Sequence, residues 1–159
     1  MSEKPTFQPE GFHTVTPSLT IKGAADALEF YKQALGAEEL YRIEGEGGMI
    51  MHAEIKIGDS VVMLSDEFPE WGALGPKSVG GASSSLMIYT EDSDALAARA
   101  VAAGAKLRQP VNLQFWGDRT GMIEDPFGHR WSLATRVEVV SPEEINARAA
   151  KWAGDCRPE

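Results

Sequence analysis

Val15 to Ala37, VTPSLTIKGAADALEFYKQALGA, decides the fold, because it passes from a two-residue to a 3.6-residue apolar period and then stops on a glycine. In its first part Val15, Pro17, Leu19 and Ile21 share one face of an extended chain, while Thr14, Thr16, Ser18 and Thr20 share the other. From about Ala24 the spacing predicts a helix that carries Leu28, Tyr31 and Leu35 on one stripe. Gly36 ends it, since a left-handed cap costs glycine nothing. The pattern then recurs: Leu86 to Tyr89 reads as a strand, Asp92 or Ser93 caps a second helix, and Ala103-Gly104-Ala105 echoes Leu35-Gly36-Ala37.

The echo continues. Ile50 to Ile57 alternates Met51, Ala53, Ile55 and Ile57 against His52, Glu54 and Lys56, and Gly58-Asp59 turns the chain back into a strand from Ser60 to Leu64. In the second half Lys106 to Arg108 and Gly121 to Glu124 read as strands, and Asp125-Pro126-Phe127-Gly128 turns into a last strand, Arg130 to Val137. The glycine stops keep nearly equal spacing, which is the mark of an internal duplication. The predicted fold is therefore α+β: two βαβββ modules forming a curled mixed sheet with helices on its outer face. The boundaries are an N-terminal extension (1–12), one domain (13–140, with module one 13–65, a Gly/Pro-rich linker 66–82 and module two 83–140), and a C-terminal helix and tail (141–159). Ser141-Pro142-Glu143-Glu144 opens that helix with a capping serine, proline in the first turn and carboxylates at the positive dipole end.

Composition narrows the function. A net charge of −9 argues against a phosphate-backbone partner, which needs Lys and Arg, and leans toward a cationic ligand. Residues 1–11 resemble neither a signal peptide nor a membrane anchor, which predicts a cytoplasmic protein without membrane attachment. The single cysteine, Cys156, lies in the tail and reads as an incidental thiol. The strand faces opposite the apolar ones carry small polar residues, Thr14, Thr16, Ser18, Ser83 and Ser85, with His52 and Glu54 among them. A strand open to solvent more often shows Lys and Glu there, so these faces are expected to line a sheltered cavity for a small molecule.

The duplicated modules, Leu28-Glu29-Phe30-Tyr31 before Leu35-Gly36, and Asp125-Pro126-Phe127-Gly128-His129 before a final strand resemble the vicinal oxygen chelate superfamily, which includes glyoxalase I, fosfomycin resistance proteins, extradiol dioxygenases and bleomycin-binding proteins. Met51-His52-Ala53-Glu54 with Gly58-Asp59-Ser60, and Phe115-Trp116-Gly117-Asp118-Arg119 before the Asp-Pro turn, are similar to its PhnB-like branch. The resemblance implies a homodimer and a divalent metal bound at matched positions of the two modules. Here those positions fall at Thr16, Met63, Ser83 (or Ser84) and Ser132, none a competent ligand for Zn, Mn or Ni. The expected cofactor is therefore none, a divalent metal being unsupported by the ligand positions.

Candidate residues follow from this. Thr16, Met63, Ser83 and Ser132 are expected to line the cavity. Trp116 offers a π face and Arg119 a bidentate fork for a carboxylate or phosphonate. Trp116 with Asp118 and Arg119 reads equally as an ordered loop with a packed tryptophan. His52 and Glu54, two apart on one strand, read as a proton-transfer pair, as ligands of a relocated metal, or as a hydrogen-bonded structural pair. His129 reads as structural, His13 as incidental and Trp131 as core, while Trp71 in the linker fits a lid, a dimer contact or a solvated loop. Two functions compete: a small-molecule binder without the usual metal ligands, and a lyase, isomerase or other enzyme that uses a relocated metal or His52 and Glu54.

Overall fold

The computed structural model describes residues 6–155, with nothing said of the side chains of 154 and 155, so Cys156 lies outside the described residues. The chain divides into two compact units. The first runs to Ser83 and takes in Pro126–His129, and the second comprises Ser84–Asp125 and the chain from Arg130 onward.

The first unit contains β1 (Ser18–Ile21), α1 (Ala24–Leu35), β2 (Glu38–Glu44), β3 (Ile50–Ile57), β4 (Ser60–Asp66) and a short helix, α2 (Pro76–Val79). Its four strands form one mixed sheet in the order β1-β4-β3-β2, with β1 parallel to β4 and the rest antiparallel. The second unit repeats this with β5 (Ser85–Tyr89), α3 (Ser93–Ala102), β6 (Lys106–Leu113), β7 (Asp118–Glu124) and β8 (Arg130–Arg136), in the order β5-β8-β7-β6, followed by α4 (Pro142–Asp155). The architecture is α+β, built from two open, four-stranded mixed sheets.

Each repeat covers one face of its sheet with its own helix. In the first, Ala24, Ala27, Leu28, Tyr31 and Ala34 of α1 are fully buried, together with Ile21, Ala53, Ile55 and Leu64 of the sheet. In the second, Ala97 and Ala100 of α3 are buried, as are Ile123, Trp131 and Leu133 of the sheet. Strand parity then leaves no choice: residues alternating with these must lie on the opposite faces.

Both helices end as the glycines require. Gly36 caps α1 at φ 67° and Gly104 follows α3 at φ 118°. Their starts differ. Asp92 caps α3, its carboxylate accepting from the Ala95 N–H at 2.9 Å. Gly23 precedes α1 at φ 92° and offers no side chain, so Asp66 at the end of β4 caps that helix instead.

The turn Pro126–His129, second-repeat by sequence, packs in the first unit. Phe127 meets Phe30 and Tyr31 of α1 edge-on, with ring centroids 6.2 and 6.5 Å away, and His129 donates its Nε2–H to the Thr20 carbonyl at 3.0 Å. That gives His129 the structural role its position suggests. Among the described residues no helix is long and apolar enough to cross a membrane.

Candidate functional site

On the first sheet, the face away from α1 carries Ser18, Met63, Glu54 and Tyr41 in one cross-strand row, with His52 paired to Ile43 alongside. Ala53 and Ile55 anchor β3 on the helix side, so His52 and Glu54 must both point away from it. They meet: His52 Nε2 lies 3.1 Å from Glu54 Oε1, and both side chains are partly buried. An ionised carboxylate only accepts, so Nε2 carries the hydrogen and Nδ1 is left as an acceptor. The Tyr41 ring stands 5.9 Å from the imidazole, tilted by 57°. The group presents an oriented imidazole nitrogen, an aromatic ring and the Met63 thioether on one face.

Thr16 sits just upstream of β1 and donates its hydroxyl hydrogen to the His13 carbonyl at 2.9 Å, a local turn bond. Ser83 is exposed and stands two residues before β5.

The second sheet shows the same parity. Trp131 and Leu133 are buried on the α3 side, which sends Ser132, 7% exposed, to the other face in a row with Met87, Met122 and Gln109. With Met63 and Ser132 taken as equivalent, Ser18, which stands opposite Met63, matches Met87, which stands opposite Ser132. By the same count the equivalent of Thr16 is Ser85, two residues after Ser83.

Trp116 belongs to the loop between β6 and β7 and packs edge-on against Phe115 at 4.8 Å, and Phe115 in turn lies 6.0 Å from Trp152 of α4. Arg119 lies elsewhere. Its parity on β7 matches Ile123, on the helix side, where its Nε and Nη2 donate to both oxygens of Asp94 on α3 at 2.9 Å. That bidentate bond holds the Asp94 carboxyl below its ordinary range and raises the guanidinium. The structure thus spends the Arg119 fork on fastening α3 to its sheet and puts Arg119 on the face opposite Ser132.

The sequence groups Asp118 with Trp116 and Arg119, as a ligand-binding cluster or an ordered loop, and does not single out Tyr89 or Thr120. Asp118 is the first residue of β7, is 6% exposed, and accepts from the Tyr89 hydroxyl at 3.1 Å. The alternation of Asp118, Thr120, Met122 and Glu124 with Arg119, Gly121 and Ile123 is the signal that carries the strand predicted from Gly121 back to Asp118.

The sheet faces were expected to enclose the cavity, yet a groove of about 540 Å³ opens at the start of α1, between Lys22, Asp26, Gly48, Met49, Asp66 and Pro69. None of the predicted site residues lines it.

A divalent metal is the group this fold implies, and the donors do not fit one. The equivalent positions offer the hydroxyls of Thr16, Ser85 and Ser132 and the Met63 thioether, which are poor donors for Zn, Mn or Ni. Among the described residues no three His, Cys, Asp or Glu side chains come together as a metal-holding group.

Comparison with known proteins agrees with the fold. The chain is 39% identical over 136 residues to an uncharacterized protein of Mycobacterium bovis, a match covering 84% of this chain and 90% of the relative. Among solved structures it is similar to TioX from Micromonospora sp. ML1, with a TM-score of 0.61 and 25% identity over 77% of this chain and 98% of TioX. A PhnB protein from Bacillus cereus, 18% identical, shares the fold with a TM-score of 0.60, covering 77% of this chain and 99% of that one. The model of the Glyoxalase/Bleomycin resistance protein/Dioxygenase superfamily matches residues 11–133, across both repeats. By this match and by its duplicated βαβββ order, the chain belongs to the glyoxalase/bleomycin resistance protein/dioxygenase superfamily.

Proposed function

We propose that the protein binds a small molecule on a sheet face turned away from its helix, without the divalent metal that the fold commonly uses, and that it does so in the cytoplasm. The observation that carries this reading is the chemistry of the repeat-equivalent positions, where hydroxyls and a thioether replace imidazole and carboxylate on faces that mix polar side chains with methionines. Thr16, Met63, Ser85 and Ser132 contribute hydrogen bonds and apolar contact in this reading, with Ser83 at the entry to β5 and Trp116 a ring at the edge of the second sheet. Arg119 contributes only by fixing α3, given its bond to Asp94.

The His52–Glu54 contact favours a second reading, acid–base catalysis on the bound molecule. The carboxylate orients the imidazole through Nε2, which leaves Nδ1 to take a proton from a ligand carbon or hydroxyl. The two readings separate in one experiment. Turnover of a panel of glyoxals, epoxides and phosphonates is followed alongside binding by ligand-observed NMR, in the parent and in His52→Ala. Binding without turnover in both proteins supports the binder; turnover lost at least about a hundredfold in His52→Ala, with binding kept, supports the catalyst. Competition for the same ligands that is unaffected by substitutions at His52, Met63 and Ser132 contradicts both.

A homodimer belongs to the same reading, because β1 and β2 edge the first sheet and β5 and β6 the second. A monomeric mass by light scattering at micromolar concentration contradicts it.

A further inference from the structure

Tyr89, Asp118 and Thr120 make a polar cluster on the second sheet, on the face away from α3. Asp118 is buried, and among the described residues its carboxylate makes no ion pair; its one side-chain partner is the Tyr89 hydroxyl, at 3.1 Å on Oδ2. Its cross-strand neighbour Arg136 is exposed and makes no ion pair with it. Tyr89 comes from β5 and Asp118 from β7, with β8 between them, so the phenol has to reach across β8 on the face where Ala134 lies. Ala134 is fully buried and small enough to allow that crossing. In the same row stands Thr120, whose hydroxyl oxygen is buried and has no hydrogen-bond partner.

Two independent anomalies therefore coincide. A carboxylate out of water is normally matched by a cation or by several donors, and one phenol leaves most of its acceptor capacity unused. A buried hydroxyl is normally paired, and this one is not. A ligand bringing positively charged N–H groups answers both at once, because it balances the carboxylate and supplies a donor to Thr120 Oγ1. The Tyr89 ring, largely exposed, offers the same ligand a π face.

We propose that Tyr89, Asp118 and Thr120 form the specificity-determining group of the second sheet, and that they select ligands carrying an amidinium, guanidinium or ammonium group. This rests on the reading that the sheet faces bind small molecules, and narrows it to cations. The test uses the full chain, labelled with nitrogen-15 and titrated with benzamidinium, with neutral benzamide of the same shape, and with benzoate. Benzamidinium is expected to shift the amides around Tyr89, Asp118 and Thr120 saturably, and to bind at least about tenfold tighter than benzamide, as for a charge-assisted bond. Asp118→Asn is expected to abolish that preference in a protein that still gives a folded spectrum. Thr120→Val, which removes a hydroxyl without a partner and so leaves the fold intact, is expected to weaken benzamidinium about threefold. Equal binding of benzamide and benzamidinium, or an unchanged affinity in Thr120→Val, overturns the proposal. If benzamide or benzoate instead shifts His52, Met63 or Ser132, the cationic selection falls while binding to the sheet faces stands; if no probe shifts either face, both fall.

Discussion

Replacing Asp66 removes the link that joins three elements of the first unit. Its Oδ1 accepts from the N–H groups of Gly23 and Ala24 at 3.0 and 2.9 Å, and its Oδ2 accepts from the Ile50 N–H at 2.8 Å. One carboxylate from β4 thus caps α1, neutralises its positive end and pins the start of β3. Gly23 cannot take over, because it sits at φ 92°, where a side chain is strained. A hydrogen bond to a charged acceptor contributes about 1.5–3 kcal/mol, and these bonds are only partly buried, so water recovers part of the loss. Asp66→Ala is expected to cost about 3 kcal/mol, a large share of the ~5–15 kcal/mol typical of a domain. Asp66→Asn keeps the Oδ1 acceptor but turns an NH₂ group or a lost charge toward Ile50, and is expected to cost about 1.5 kcal/mol. Urea unfolding followed by circular dichroism measures both, and the alanine variant should melt about 6–12 °C below the parent. An Asp66→Ala protein within about 0.5 kcal/mol of the parent refutes the capping argument.

Gly121 faces the irregular part of β6: a Cβ there would sit 2.8 Å from the Val111 side chain and 2.9 Å from the Gln109 carbonyl. Gly121→Ala is therefore expected to cost about 2 kcal/mol by denaturant unfolding, through displacement of β6. Glu39 is held down to a pKa of about 2, first by its hydrogen bond to Arg42 and further by Lys32, against an ordinary value of 4.5. A carboxyl depressed in the fold stabilises fully above its unfolded pKa and loses that contribution as pH falls through the folded one. The parent should thus lose stability between about pH 4.5 and 2 more steeply than Glu39→Gln, which at pH 7 is expected to be about 1 kcal/mol less stable, the scale of a partly exposed ion pair. Parallel acid limbs in a pH series of thermal melts contradict this.

The parts of the fold that were legible are those where one face is buried and the period is clean. The Ile50–Ile57 strand, the Ala24–Leu35 helix between Gly23 and Gly36, and the start of the last strand at Arg130 stand where the pattern puts them. β2 is not legible in the sequence for a physical reason: it is a charged edge strand, largely exposed, with a register shift between Glu39 and Tyr41 that breaks the alternation. β6 extends past Arg108 to Leu113 through Pro110, which an edge strand tolerates and a periodicity reading treats as a stop. β1 starts later than expected, at Ser18, and Val15 is exposed rather than on the apolar face.

The candidate site was readable to the same depth. Parity alone put His52 and Glu54 on one face, and the structure adds that they touch. Nothing in the spacing joins Arg119 to Asp94, or Tyr89 to Asp118, because both pairs come from different strands and helices and depend on the three-dimensional register. Matching Ser85 to Thr16 takes the pairing of β1 with β4 and of β5 with β8, with Met63 and Ser132 as the common reference.

Metal content is the most direct measurement, because the account turns on hydroxyls and a thioether standing where imidazole and carboxylate would hold an ion. Protein purified without chelator, analysed by inductively coupled plasma mass spectrometry and then titrated calorimetrically with Zn, Ni, Mn and Fe(II), is expected to carry well under one equivalent and to bind none tightly. One equivalent of any of these metals held per chain, and lost on substitution of His52 or Glu54, contradicts it.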